Sequence, residues 1–394
     1  MNNTPSSERI HIGIFGKRNA GKSSLINAIT GQNLAIVSDI KGTTTDPVLK
    51  TMELLPLGPV VLIDTPGLDD EGELGTLRIK KAYQMLNKTD VAILVVDASV
   101  GLTKEDDLIL KRIQAKEIPY VVVMNKCDLQ TETMEEQNNI VWVSAKTGHN
   151  IRLLKEKIAE CAKKEVADKK IVGDLLAPLD FVILVVPIDE SAPKGRLILP
   201  QQQTIRDVLN AGATAIVVKD TELEDTLNKL ACKPKMVITD SQVFGKVVKI
   251  VPKDVPLTSF SILMARYKGD LKEVVQGAYA LDKLQDGDKV LISEGCTHHR
   301  QCNDIGTVKL PHWVKEHTGK ELQFEFTSGT EFPDELTGYQ LIIHCGGCML
   351  NDREMKYRLK CALDQGIPMT NYGIAIAHMK GILARSIEVF HGEY

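Results

Sequence analysis

One segment near the N-terminus restricts the possible folds of this chain more than any other. It contains Gly16, Gly21, Lys22, Ser23 and Ser24, and it lies between an apolar strand and a helical pattern. Glycines at this spacing let backbone N–H groups close around phosphate oxygens, while the lysine reaches the terminal phosphates and the first serine ligates Mg²⁺. We therefore predict a phosphate-binding P-loop at the start of an α/β domain.

A second motif, Asp64-Thr65-Pro66-Gly67, follows a later apolar strand. The Asp64 carboxylate can hold Mg²⁺ through water, and the Gly67 N–H can contact the terminal phosphate of a nucleotide. Between the two motifs, the polar segment Lys41 to Asp46 is typical of a switch loop. One of its threonines is expected to ligate Mg²⁺, and we favour Thr45 over Thr44.

The base is selected by a third motif, Asn125-Lys126-Cys127-Asp128, at the end of another strand. The Asp128 carboxylate can accept hydrogen bonds from N1–H and the exocyclic amine of guanine, whereas adenine would leave it unpaired. The segment Ser144-Ala145-Lys146 follows the next strand and supplies a backbone N–H for the guanine O6. Together with Asn19, Ala20 and the P-loop residues, these motifs predict a GTP site.

Apolar strands and amphipathic helices alternate along the whole chain, which predicts an α/β fold. We expect a P-loop GTPase domain at 9–168 and two further α/β domains at 175–262 and 263–394, with the first boundary in the lysine-rich stretch Ala162 to Lys170. The predicted strands are Ile10 to Phe15, Val60 to Ile63, Val91 to Val96, Tyr120 to Met124, Ile140 to Val143, Phe181 to Val186, Ala215 to Val218, Met236 to Ile238, Lys289 to Ser293 and Leu341 to His344.

The composition restricts the compartment and the partners. A formal net charge of -4 gives no strong field for nucleic acid or an anionic membrane. Met1 to Glu8 lacks an apolar signal region, and no apolar run has the length of a membrane span. We therefore expect a cytoplasmic protein without a nucleic-acid or membrane partner. In that compartment, the eight cysteines are not expected to form disulfides, and clustered cysteines favour metal or redox sites.

Two segments near the C-terminus combine cysteine and histidine after a predicted strand. The first contains Cys296 and His298, and the second contains His344, Cys345 and Cys348. If the two strands are parallel in one sheet, their carboxyl ends bring these side chains together. Tetrahedral zinc and an iron–sulfur cluster fit the residue types equally well, and unliganded thiols are a third interpretation.

Other cysteines and histidines lack such a context. Cys302 and Asp304 are spare donors in the first of these loops. We expect small core side chains at Cys127, Cys161, Cys232 and Cys361. His312 and His378 are isolated in the sequence and are expected to be solvated or hydrogen-bonded in a core.

From Ile10 to Cys161 the motifs resemble the translation-factor-related GTPases, in particular the branch of Era and the tRNA-modification GTPase. In that branch, an asparagine at the place of Asn19 helps to bind K⁺, so the resemblance implies potassium-stimulated hydrolysis. Leu68 stands where Ras-like proteins carry a water-orienting glutamine, and we therefore expect slow intrinsic turnover.

With the C-terminal cysteine segments added, the whole chain resembles the HydF family of FeFe-hydrogenase maturation GTPases. The resemblance implies a dimerising middle domain and a 4Fe-4S cluster on Cys296, Cys345 and Cys348, with His298 and His344 lining the fourth coordination position. It also implies a scaffold that receives a two-iron subcluster with the help of two radical-SAM maturases and delivers it to apo-hydrogenase. GTP would then regulate association with these partners.

Two other functions remain open from the residues alone. One is an RNA- or ribosome-associated GTPase with a structural zinc domain, although the overall charge does not favour it. The other is a GTP-dependent switch whose C-terminal cysteines are regulatory thiols.

Overall fold

A computed structural model describes residues 4–31, 47–67, 79, 81–130, 139–163, 169–188, 197–295, 304–329 and 331–394. The chain divides into two compact units, 1–168 and 169–394. Within the described ranges, no helix is both long enough and apolar enough to cross a membrane.

The first unit contains a six-stranded sheet in the order β2-β3-β1-β4-β5-β6. Its apolar strands are parallel, but β2 runs antiparallel to β3 and was absent from the sequence prediction. The polar and half-exposed pattern of β2 explains this, since it lies at the sheet edge. The strands are β1 (Ile10–Phe15), β2 (Val48–Leu54), β3 (Gly58–Asp64), β4 (Val91–Asp97), β5 (Tyr120–Asn125) and β6 (Ile140–Trp142).

Helices cover both faces of this sheet. The helices whose bounds lie within the described residues are α1 (Lys22–Thr30), α2 (Lys104–Ala115) and α3 (Ile151–Lys163). Leu25 of α1 and Leu154 of α3 belong to one apolar core, whereas Ile109 of α2 belongs to the core on the other face. This three-layer arrangement confirms the predicted α/β class and places the carboxyl ends of the central parallel strands at one edge.

The second unit begins with a four-stranded parallel sheet in the order β10-β9-β7-β8. Its strands are β7 (Phe181–Val185), β8 (Thr214–Val218), β9 (Met236–Thr239) and β10 (Leu257–Ser259), and its helices are α4 (Leu199–Asn210), α5 (Leu223–Lys229), α6 (Phe244–Ile250) and α7 (Phe260–Lys268). The three-residue strand β10 was not predicted, because a run this short carries no periodicity.

A further parallel sheet follows in the order β12-β11-β13-β14. Its strands are β11 (Lys289–Ser293), β12 (Gln323–Thr327), β13 (Leu341–His344) and β14 (Met369–Asn371). The accompanying helices are α8 (Leu271–Ala278), α9 (Leu310–Thr318), α10 (Asp352–Asp364), α11 (Tyr372–Met379) and α12 (Leu383–Ile387), with a 3₁₀ turn at Tyr279–Lys283 and a π-helical turn at Ile305–Lys309.

The two sheets of the second unit share one hydrophobic core. Ile183 of β7, Leu263 of α7 and Ile342 of β13 all belong to it. Residues 169–394 therefore pack as a single body, and the division into separate domains at 262 and 263 stays a prediction.

Candidate functional site

The P-loop lysine is held at the end of β1. Lys22 is 9% exposed, and its ammonium donates to the carbonyl oxygens of Gly16 (2.8 Å) and Lys17 (2.7 Å). Gly21 has φ = 92°, and a Cβ there would lie 2.2 Å from the side-chain nitrogen Nδ2 of Asn125. The loop can therefore form only with glycine at that position, because both the backbone angle and the close approach exclude a side chain.

Asn125 connects the three nucleotide motifs at the edge of the sheet. Its amide donates to the Ala20 carbonyl (2.9 Å), and its side-chain oxygen accepts from the Ala145 N–H (3.1 Å). Since the P-loop follows β1 and the other two segments follow β5 and β6, these hydrogen bonds fix the spacing of the strand ends. The predicted phosphate and base segments thus come together.

Asp64 ends β3 beside the P-loop. It is 6% exposed, and burial raises the pKa of its carboxyl group, although the nearby Lys22 ammonium opposes this shift. The next residue, Thr65, donates its hydroxyl hydrogen to the Ile14 carbonyl (2.6 Å) and so ties the motif to β1. A carboxylate at this position is a suitable partner for a hydrated Mg²⁺ ion, while the Lys22 ammonium suits the phosphate oxygens.

The base-binding segment turns sharply after β5. Lys126 has φ = 64°, and its ammonium donates to the Asp97 carboxylate at 2.6 Å. Burial would raise the pKa of Asp97, but hydrogen bonds from Lys126 and Ser99 outweigh it and hold that pKa below its usual range. The turn leaves Asp128 exposed, as a base-recognising carboxylate must be.

The other predicted residues of this site fall into two groups. Ser23, Ser24, Gly67, Ser144 and Lys146 lie on the loops or helix starts that follow these strands. The switch residues Thr43, Thr44 and Thr45, together with Leu68, lie outside the described residues.

The second candidate site lies at the carboxyl edge of the C-terminal sheet. Four polar residues stand there in register, in the order Thr327, Ser293, His344 and Asn371. Strands β11 and β13 are parallel neighbours, so the condition for bringing the two cysteine segments together is met. The sequence prediction named only His344 of this row.

Cys345 follows β13 directly and points to the end of β11. Its Sγ accepts from the Gly295 N–H at 3.0 Å and from the Gly347 N–H at 3.4 Å. Burial raises the pKa of the Cys345 thiol to about 11, and burial also raises the pKa of Cys348. Both thiols are therefore neutral at pH 7 unless a cation compensates the thiolate charge.

His344 is fully buried, and both of its ring nitrogens are engaged. Arg358 donates from Nη1 to Nε2 at 3.0 Å, so the proton resides on Nδ1 and is donated to the Cys345 carbonyl at 2.7 Å. Burial, with a contribution from Arg358, lowers the pKa of His344 to about 3. A ring nitrogen of His344 would have to leave one of these two partners to reach an iron, and the role of His344 at the fourth coordination position stays a prediction.

Arg358 itself was not anticipated from the sequence. It lies on α10 with no exposed side-chain surface, and it also donates to the carboxylate of Glu354 (2.7 Å) and the carbonyl of Gly329 (2.6 Å). This charged network lies beneath the polar row and fixes the orientation of the His344 ring.

Lys268, the last residue of α7, supports the cysteine loop from the other side. It is 1% exposed, and its ammonium donates to the carbonyls of Gly347 (3.2 Å), Cys348 (3.1 Å) and Leu350 (2.7 Å). A buried ammonium thus replaces the solvent for three loop carbonyls. An isolated lysine at the end of an apolar helix gives no sequence signal for this role.

The remaining predicted donors have different outcomes. Cys296, His298 and Cys302 lie outside the described residues. The carboxylate of Asp304 accepts from the N–H groups of Gly306 and Thr307 and caps a helical turn. Among the cysteines expected in cores, Cys127 is buried and Cys161 and Cys361 are partly buried, but Cys232 is exposed, contrary to expectation.

Comparison with known families assigns the second unit. Residues 171–269 match the hydrogen maturase F dimerization domain, and residues 272–389 match the hydrogen maturase F tetramerization domain. Together these matches cover more than half of the chain. The chain belongs to the hydrogen maturase F (HydF) family. It is therefore a hydrogenase-maturation GTPase with two regions of the kinds that mediate oligomerization in HydF.

The N-terminal unit of this HydF chain is a GTPase domain, since residues 11–126 match the family model described as 50S ribosome-binding GTPase. Curated relatives include the tRNA modification GTPase MnmE of Chromobacterium violaceum, which is 38% identical over 167 residues, or 41% of this chain and 37% of the relative. GTPase Der of Wolinella succinogenes is 34% identical over 165 residues, or 38% of this chain and 35% of the relative. The chain thus spans little more than a third of these relatives.

Among solved structures, the match to Era of Aquifex aeolicus covers 61% of this chain and 97% of the Era chain, with 20% sequence identity and a TM-score of 0.35.

Proposed function

We propose that this HydF protein is a GTP-hydrolysing scaffold that holds a 4Fe-4S cluster and delivers a two-iron subcluster to apo FeFe-hydrogenase. Membership of the HydF family supports the role in hydrogenase maturation. The observation that carries the cluster assignment is the hydrogen bond from the Gly295 N–H to the Cys345 Sγ at 3.0 Å. Gly295 is one residue before Cys296 in the sequence, and this contact supports the proposal that the two cysteine segments share one site.

In the first unit, we infer that the P-loop and its neighbours bind GTP with Mg²⁺ and hydrolyse it. Lys22 would exchange its two carbonyl acceptors for phosphate oxygens, which make stronger, charge-assisted hydrogen bonds. Ser23, Thr45 and Asp64 are the proposed Mg²⁺ environment, and Gly67 would donate its N–H to the terminal phosphate.

Guanine recognition would rest on the segments after β5 and β6. The exposed Asp128 carboxylate can accept from the base, while Asn125 holds Ala145 and the P-loop at a fixed separation. The two oxygens of this one carboxylate reject bases that lack the two donors.

Asn19 is the proposed K⁺ ligand. It is exposed at the tip of the P-loop with φ = 62°, so its side-chain oxygen is accessible to a cation. GTP turnover should be faster in K⁺ than in Na⁺, and Asn19→Ala should remove that difference. Equal rates in both salts for the unmodified protein would contradict this assignment.

In the second unit, the donor chemistry fits an iron–sulfur cluster on Cys296, Cys345 and Cys348. The thiols of Cys345 and Cys348 are partly buried, carry raised pKa values and follow a strand whose end is lined by backbone N–H donors. Such donors stabilise sulfur that bears negative charge, whether thiolate or cluster sulfide. When bound, the cluster would supply an iron site to which a guest iron unit can attach. His298 and His344 stay the proposed donors to the fourth position.

The cluster proposal is tested by anaerobic purification followed by iron, sulfide and zinc analysis. We expect iron and sulfide with broad absorption near roughly 400 nm, and loss of both iron and absorption in Cys345→Ser. Cys232→Ser is the matched control, because that cysteine is exposed and outside the loop. Zinc without iron in the unmodified protein would contradict the scaffold function and favour a structural zinc domain.

Nucleotide hydrolysis would act on partner association, because phosphoryl transfer does not itself build a cluster. The proposed partners are two radical-SAM maturases and apo-hydrogenase, with a homodimer built through 175–262 and the cluster in 263–394. GTP and GDP forms should differ in affinity for at least one partner, which pull-down or surface binding measurements can determine. Identical affinities of both forms for all three partners would refute this regulation.

A further inference from the structure

Three side chains that are distant in sequence meet on the surface of the second unit. Asp282 lies in the 3₁₀ turn Tyr279–Lys283, His317 near the end of α9, and His378 near the end of α11. None belongs to the cysteine segments or to the nucleotide motifs. His378 is isolated in the sequence, and no sequence pattern predicted that it would meet His317 and Asp282.

The carboxylate of Asp282 stands between the two imidazoles. Its Oδ1 lies 2.9 Å from Nε2 of His317, and its Oδ2 lies 2.9 Å from Nε2 of His378. The three ligand atoms all lie within 4.8 Å of one another. Both histidines therefore direct the same ring nitrogen to one point, where the carboxylate supplies oxygen.

The aromatic surroundings restrict the orientation of one of these rings. The His378 ring packs edge to face against Tyr279, with centroids 5.3 Å apart, and its centroid lies 5.7 Å from that of His317. The side chain of His378 is 12% exposed and that of His317 is 25% exposed, whereas Asp282 is 51% exposed. The cluster thus has two partly enclosed nitrogen donors and an open mouth on the carboxylate side.

We propose that Asp282, His317 and His378 form a binding site for a divalent transition-metal ion, with Zn²⁺ as the preferred probe. Two imidazoles and one carboxylate are a donor set that suits zinc and leaves a coordination position open. Zinc bonds of about 2.0–2.2 Å require only small side-chain rotations from the present separations. The ion would displace the protons now shared between the carboxylate and the rings.

Such an ion would connect three elements that already pack in one hydrophobic core, which includes Leu281, Val314 and Ile376. The 3₁₀ turn, α9 and α11 all lie within residues 272–389, the part that matches the tetramerization domain. The solvent-facing position of the ion is accessible to a water molecule. The site is therefore expected to stabilise the second unit without involving the cysteine loop.

The test measures zinc binding to the full-length protein by equilibrium dialysis and elemental analysis. Because cysteine thiolates are also zinc ligands, the quantity compared is the difference in bound zinc between matched variants. His317→Ala and His378→Ala should each bind about one Zn²⁺ per chain fewer than the unmodified protein. Asp282→Asn preserves the side-chain volume and should weaken zinc binding at this site by more than about 10-fold. Changing residues that only contact a metal ligand already lowers metal affinity by about 10- to 100-fold.

His312→Ala is the matched control, since His312 is an exposed histidine on the same helix as His317. This control should keep the zinc stoichiometry of the unmodified protein. Zinc should raise the thermal midpoint of the unmodified protein and the control more than that of the variants. A cooperative thermal transition of each variant without zinc shows that the variant is folded. Unchanged stoichiometry in both histidine variants, or an equal loss in His312→Ala, would overturn the proposal.

Discussion

Guanine selection depends on a single carboxylate, so it can be tested at one residue. Asp128→Asn replaces one acceptor oxygen with a donor, which opposes the guanine amine but suits the O2 carbonyl of xanthine. We expect GTP affinity to fall by about 10- to 100-fold, equivalent to one unsatisfied buried group, and XTP affinity to rise. Competition binding of both nucleotides measures the change. Asp107→Asn, an exposed position on α2, should affect neither nucleotide.

Lys268 allows a second test at the scale of one side chain. Lys268→Met keeps the apolar stem but removes the ammonium from three loop carbonyls. We expect the free energy of unfolding of the second unit to fall by about 1–3 kcal/mol and the iron content to decrease. Chemical denaturation and iron analysis provide the two measurements.

The control for this test is Lys272→Met, which removes an exposed lysine from the neighbouring helix α8. It should leave both stability and iron content near their original values. Equal behaviour of the two variants would show that the Lys268 ammonium does not support the loop.

At the scale of the elements, two adjacent glycines of the cysteine loop have different requirements. Gly347 has φ = 61°, and a Cβ there would lie 2.5 Å from Sδ of Met355, whereas the nearest side-chain atom at Gly346 is Oγ of Ser261 at 3.6 Å. Gly347→Ala should therefore destabilise the loop by roughly 1–2 kcal/mol, the energy of a left-handed residue with a side chain. Gly346→Ala should be tolerated.

Iron content and thermal unfolding distinguish these two loop variants. We expect less iron in Gly347→Ala, since the loop would shift its N–H away from Sγ of Cys345. If Gly346→Ala loses as much iron as Gly347→Ala, the backbone angle is not the decisive property.

The elements also show how far sequence reasoning extends. The buried strand β11 was predicted with its observed bounds, because a continuous run of apolar, β-branched residues fits a parallel sheet covered on both faces. Edge strands β2 and β12 were missed, since their alternating polar residues carry a weak signal. Nucleotide motifs are predictable because their residues are contiguous.

Networks assembled from distant residues are not predictable in this way. Arg358 reaches His344 across 14 positions, and Lys268 reaches the cysteine loop across about 80. The Asp282 cluster likewise joins three separate elements. Each of these contacts forms only once the fold has brought the loops and helices that carry the residues next to one another.

At the scale of the whole molecule, the chain forms two compact units, each with its own candidate site. Lys22 lies in the first unit, and Cys345 lies in the second. Lys22→Ala removes the ammonium that would neutralise phosphate charge, so GTP turnover should fall by at least ~100-fold, in line with the loss of a major electrostatic group. Iron and sulfide content should be unchanged.

The reciprocal variant completes this test. Cys345→Ser should lose iron and retain the GTP turnover of the unmodified protein, because it changes no residue of the first unit. Turnover is measured by phosphate release and iron by elemental analysis on the same preparations, with circular dichroism to confirm that both variants are folded. If either folded variant loses both iron and turnover, the sites are coupled through the protein. Nucleotide hydrolysis would then depend on the state of the cysteine loop, and the two units could not be treated as independent modules.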